Sequence, residues 1–207
     1  IKARGGVMHI GKIMDGSDPP GGEVRAQVDS DARWSAARNH TATHLLHESL
    51  RRTLGDHVSQ MGSLVAPDRL RFDFSHFSGI NSEQIREIES VVNEQIRADI
   101  EICFSEEDLD EAKQMGAQAL FGEKYDTRVR VVKIGEFSLE LCGGTHVDTT
   151  GQIGSFDLVS EAGIAAGTRR VEAISGKAAT LVSRQYRDLV DDLVQMLSTN
   201  PENLCEQ

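Results

Sequence analysis

Three histidines in HTATHLLH, residues 40 to 47, and a cysteine with a histidine in LELCGGTH, residues 139 to 146, are side chains whose type and spacing suit metal chemistry. On a helix, residues four apart share a face, so His40 and His44 can converge on one ion with bonds of about 2 Å. His44 and His47, three apart, can do the same. His40 and His47 cannot easily, because seven residues rise about 10.5 Å along the axis. Cys142 ends a predicted strand, and Gly143–Gly144 lets the chain turn sharply so that His146 faces the same point. Two imidazoles from a helix with a thiolate and an imidazole from a hairpin end make a tetrahedral N/S set, for which zinc is the natural ion. Four protein ligands would make that ion structural, whereas an open position would let it activate water or hold a substrate amine. Thr41 follows His40 directly, so there is no H-E-x-x-H and the general base of a zinc protease is missing. Cys103 reads as a core residue of an apolar strand, and Cys205 lies in a polar tail.

The elements that must position these groups follow from periodicity. Residues 35 to 54 are helical, with an apolar stripe through Ala42, Leu45, Leu46 and Leu50 and Gly55 as the stop. Residues 57–65 and 69–75 read as a hairpin around APDR, RFDF alternating cleanly. Asn81 or Ser82 caps a helix whose Ile85, Ile88, Val92 and Ile96 recur at steps of three and four. EICF is a strand, and Ser105 with Asp108 resembles a capping pair for a short helix ending at Gly116. Residues 129–134 and 137–142 form a second hairpin about GEF; GSFDLVS and TRRVEAIS are further strands. Lys177 to Leu197 is helical, and Val182, Tyr186, Leu189, Leu193 and Met196 trace two heptads, either packed on the domain or the start of a dimer seam. Mixed helices and antiparallel hairpins predict an α+β fold, an antiparallel sheet packed with helices. Three segments are expected: a partial β module over 1–30 containing VMHIGKI, DGSDPPGG and EVRAQVD, a metal-bearing domain over 31–176, and a helical linker over 177–207.

The 207 residues carry a net charge of -11, which argues against a polyanionic partner until the charge is mapped. Eleven carboxylates stand against Arg86 and Arg97 between residues 83 and 111, and the rest is nearly neutral. Arginines cluster at Arg51–Arg52, Arg69 and Arg71, and Arg169–Arg170, so one face can still meet a phosphate backbone. No run of roughly 18 apolar residues exists for a membrane span. Three scattered cysteines suggest no disulfide framework and favour a reducing, cytoplasmic compartment. The opening at Ile1 without an initiator Met fits a fragment of a longer protein.

NHTATHLLH, HVSQMGSLVAPDRLRFDFSH, ALFGEKYDTRVRVV, LCGGTH and SEAGIAAGTRRVEAISG together resemble the editing domain of bacterial alanyl-tRNA synthetases, over roughly residues 8 to 180. Stand-alone alanyl editing proteins and the threonyl-tRNA synthetase editing domain are more distant likenesses. The resemblance implies hydrolysis of serine or glycine wrongly esterified to the 3′ end of alanine tRNA. It places the zinc ligands, which are also the catalytic group, at His40, His44, Cys142 and His146, and so decides against His47. It implies substrate contacts from Thr43, Gln60 and Ser63, and from Arg169 toward the terminal adenosine or the site's loop. EAGIAAG, read as a glycine loop, allows close backbone approach to phosphate or sugar. No ATP-binding segment is present, so aminoacylation by these residues alone is not expected, and the 177–207 helix would lead toward a C-terminal region through which the full-length protein could form a homodimer. The alternatives are a stand-alone trans-editing protein and a zinc-stabilised tRNA-binding module without hydrolytic activity.

Overall fold

A computed structural model describes residues 2–3, 6–7, 10–12, 14, 25–119 and 125–206. The first helix, α1 (Ser30–Leu54), begins five residues before its expected start because the Asp29 carboxylate accepts from the Ala32 N–H and caps it. It stops at Gly55, whose φ of 115° lies in the left-handed half of backbone space. The described part of EVRAQVD forms no strand: residues 25–29 are irregular and exposed, and lead into the cap of α1. DGSDPPGG and part of VMHIGKI lie outside the described residues. Of the expected β module, one short antiparallel pair is described, β1 (Lys2–Ala3) with β2 (Gly6–Val7).

After α1 the chain forms the antiparallel hairpin β3 (Gln60–Val65) and β4 (Leu70–Ser75). Helix α2 (Ser82–Arg97) follows, opened by a capping box in which Asn81 Oδ1 accepts from Gln84 N and Gln84 Oε1 accepts from Asn81 N. Strand β5 (Ile102–Asp108), helix α3 (Leu109–Gln114), strands β6 (Arg128–Ile134), β7 (Ser138–Leu141), β8 (Phe156–Ala165) and β9 (Thr168–Ser175), and helix α4 (Lys177–Leu197) complete the order. Two antiparallel sheets result, one ordered β3-β4-β9-β8 and the other β5-β6-β7. The fold is α+β.

Three local expectations are corrected by this topology. Ser105 does not cap α3, because it is bonded into the ladder opposite Val131, and the Asp108 carboxylate takes the cap instead. Cys103 is exposed rather than core: Ile102 takes the inward side of β5, and strand alternation turns the next residue out. EAGIAAG is not a loop; Glu161 to Ala165 extend β8 along β9, and the turn falls at 166–167 with Gly167 at φ 69°.

Helices α1 and α2 cover one face of the first sheet. Leu45, Leu46 and Leu50 of α1 and Ile88 and Val92 of α2 share a core with Phe72, Phe74, Phe156 and Val171, all fully buried. Burying each such side chain contributes about 1.5–3 kcal/mol. Val132, Ile134 and Val147 join the same core, so the second sheet is anchored to α1 as well. That packing carries the end of β7 to the middle of α1. By contrast α4 buries only Ala179, leaving Tyr186, Leu189, Leu193 and Met196 of its heptad stripe exposed. Among the described residues no helix is long and apolar enough to cross a membrane.

Candidate metal centre

His40 and His44 stand one turn apart on α1, and Cys142 and His146 flank the turn that leaves β7. The tertiary packing brings all four together, with one donor atom from each lying within 4.8 Å of every other. Cys142 Sγ is 3.3 Å from His40 Nε2 and 3.4 Å from His146 Nε2. Bonds of about 2.0–2.3 Å in a tetrahedron put donors roughly 3.3–3.8 Å apart, so these separations suit a bound cation.

The hydrogen bonds behind the ring atoms fix which nitrogen faces the centre. His40 Nδ1 lies 3.2 Å from the carbonyl of Thr145. Thr41 donates its only hydroxyl proton to Ala37 O, so at 3.1 Å it can only accept from His146 Nδ1. His44 Nδ1 is 2.8 Å from Glu140 Oε2, an electrostatic contact rather than a well-aligned hydrogen bond. Each imidazole thereby keeps Nε2 for an ion, the arrangement by which outer contacts orient metal ligands. His47 lies outside the cluster, 3.1 Å from Glu140 Oε1 through Nδ1.

Charge states follow from the same contacts. Burial pushes the Cys142 thiol upward, but bonds from His146, His40 and His44 outweigh it and bring it down to about 3, leaving a thiolate at neutral pH. Burial, with the charges of His44 and His40, takes His146 down to about 4, so it is a neutral ligand. Burial disfavours charge on His44, yet the Glu140 carboxylate prevails and raises it to about 10; a cation on its Nε2 would replace one proton. Glu140 is likewise driven upward by burial and held far below the carboxylate range by His44 and His47.

Beside the cluster opens a cavity of about 400 Å³ whose wall includes His40, His44 and Cys142. Thr43, Gln60 and Ser63 line it too, so three of the four expected substrate contacts share one space with three of the four donors. The Thr43 hydroxyl donates to Asn39 O at 2.8 Å, which leaves its oxygen as an acceptor toward the cavity. Met61 and Val65 add apolar wall. Arg169 is not brought there: it is paired with Glu161 and lies against Gly79 and Gly163, outside the residues that line the cavity.

The sharp turn expected at Gly143–Gly144 needs no positive φ at Gly144. What Gly144 needs is room, since a Cβ there would collide with the His40 ring. Glu140 and Thr41 were missed by sequence reasoning. A signal for Glu140 existed, because residues two apart on a strand share a face and Glu140 stands two before Cys142. Thr41 carried none.

Residues 129–172 match the family described as the threonyl and alanyl tRNA synthetase second additional domain. Over 96% of its length the chain is 52% identical to alanine–tRNA ligase of Acetivibrio thermocellus. Over 97% it is 51% identical to the same enzyme of Alkaliphilus oremlandii, and over 83% it is 56% identical to that of Hydrogenovibrio crunogenus. The matched part is 23%, 23% and 20% of those proteins, so the chain spans less than a quarter of their length.

Proposed function

We propose, from the premise that this chain corresponds to the segment of alanine–tRNA ligases that carries their second additional domain, that it hydrolyses serine or glycine from mischarged alanine tRNA. The observation that carries the reading is the shared wall: polar side chains able to grip a small amino acid border the same cavity as three metal donors. The N₃S donor set suits zinc, with His40, His44, Cys142 and His146 as ligands. When bound, zinc supplies positioning of the aminoacyl group or polarisation of its carbonyl.

The protein's own residues do the rest. Glu140, Thr41 and the Thr145 carbonyl hold the three imidazoles in place. Thr43 offers an acceptor to the hydroxyl of serine, while Gln60 and Ser63 offer further partners across the cavity. These contacts favour serine over alanine, which has no hydroxyl to satisfy them; glycine has none either and draws nothing from them. Glu140 is no free general base, because both of its oxygens already face imidazoles. Ester cleavage releases a ribose hydroxyl, a leaving group good enough that orientation and electrostatic help from the site suffice. Residues 31–176 form the working unit in this reading, and 177–207 lead toward an oligomerising region of the longer protein.

The test is deacylation of serine, glycine and alanine each attached to the same tRNA. Loss of the first two and retention of alanine is expected, abolished by Cys142→Ala. Tight tRNA binding with no hydrolysis at any protein concentration would instead favour a zinc-held binding module.

A further inference from the structure

The arginine clusters that the sequence offers to a phosphate backbone are paired with carboxylates of the same chain. Arg51 pairs with Asp56, Arg52 with Glu48, Arg69 with Asp68, Arg169 with Glu161 and Arg170 with Asp73. Arg71 also faces Asp73, at 3.8 Å. Arg130 differs. Among the described residues it makes no ion pair, although Glu106 stands opposite it across the ladder. Its guanidinium carbon lies over the ring of Phe104, 4.3 Å from the centroid. Nη1 donates to the carbonyl of Gly144 at 2.5 Å, within the turn between Cys142 and His146. Phe104 is 43% exposed, and its ring centroid is 6.1 Å from that of His146.

We propose that Arg130, braced on Phe104 and the Gly144 carbonyl, is the subsite for an RNA phosphodiester next to the esterified nucleotide. This rests on the deacylase reading, which puts a 3′-terminal nucleotide at the metal centre. That nucleotide's phosphate lies within one nucleotide length of the ester, so a cation attached to the ligand turn is within its range. A guanidinium has five N–H donors in a planar fork; one is committed to Gly144, and others remain for phosphate oxygens. Contact with the Phe104 ring and the bond to Gly144 already hold the guanidinium, so little freedom is lost when phosphate arrives. The contact is independent of base identity, as phosphate contacts are: it positions the strand and leaves amino-acid choice to Thr43, Gln60 and Ser63.

The probe is a single-stranded RNA tetranucleotide with a free 3′ hydroxyl, bound to the zinc-saturated chain over a range of salt. Arg130→Gln is expected to weaken binding roughly tenfold and to lower the slope of log affinity against log salt by about 0.7, the share of one phosphate on a single strand. Cobalt loading of each variant, read by its thiolate absorption band, reports whether the ligand set is intact and should match wild type. Arg130→Lys keeps the charge without the fork; intermediate affinity with the wild-type slope is expected. Unchanged RNA affinity and slope in Arg130→Gln would overturn the subsite and leave Arg130 as a brace of the turn. So would a lysine variant no better than the glutamine one. Hydrolysis of seryl-tRNA, measured alongside, separates the two ideas. Arg130-dependent RNA binding without hydrolysis sinks the deacylase and keeps the subsite, whereas hydrolysis whose KM ignores Arg130 does the reverse.

Discussion

A methyl group on Gly144 would fall on the His40 imidazole, while one on Gly143 would meet nothing within 4 Å. Gly144→Ala is therefore expected to lower zinc affinity at least tenfold with an unchanged far-UV circular dichroism spectrum, and Gly143→Ala to leave both alone. Titration against a zinc chelator of known affinity checks the pair. Glu140→Gln removes the charge that faces His44 and His47; loss of such an outer partner weakens metal binding on the order of 10- to 100-fold. His76 gives a pH signature separate from the metal. Burial, with charge from His57 and Arg169, lowers its pKa below 6.5. The folded state thus binds fewer protons than the unfolded one. The stability His76 contributes is fully present above pH 6.5 and is lost as pH falls toward the lowered value. Melting curves between pH 7.5 and 5.5 should fall less steeply in His76→Asn than in wild type.

Among the elements, α2 offers the cleanest stability test. Asn81 satisfies two N–H groups at its start and Gln84 returns a bond, so Asn81→Ala should cost about 1 kcal/mol. For a chain of this size that is a drop of roughly 2–4 °C in Tm, measured by calorimetry. Most element types were legible because apolar residues recur at steps of three and four in α2 and alternate in RFDF, although burial itself runs unbroken from Thr41 to His47 and from Phe72 to Phe74. The failures are equally physical. Residues 25–29 alternate in character but have no partner strand, and the Asp29 cap draws the helix back to Ser30. EAGIAAG looked loop-like from its glycines, yet pairing along β9 holds it extended. Cys103 was misplaced because which side of β5 faces inward depends on the sheet it joins.

At the scale of the molecule, an ion held at this centre ties the middle of α1 to the exit of β7, nearly a hundred residues apart in sequence. A ligand present at 1,000 times its Kd stabilises the folded state by about 4 kcal/mol. Chelation is accordingly expected to lower Tm by on the order of 10 °C, with recovery on adding zinc. The sequence alone offered the pairs, His40 with His44 or His44 with His47 on the helix and Cys142 with His146 at the turn, because helix and turn geometry are local. It also determined the α+β class, through periodicities that each segment carries by itself. Only the tertiary structure could decide that both pairs meet, that Glu140 sits behind His44, that the arginine clusters are engaged by nearby carboxylates, and that Arg130 is not. Those outcomes depend on sheet register and on which helix face lies against which strand. Register is set by burying Phe72, Phe74, Val132 and Val171 in a common core, and no stretch of sequence contains that whole interaction.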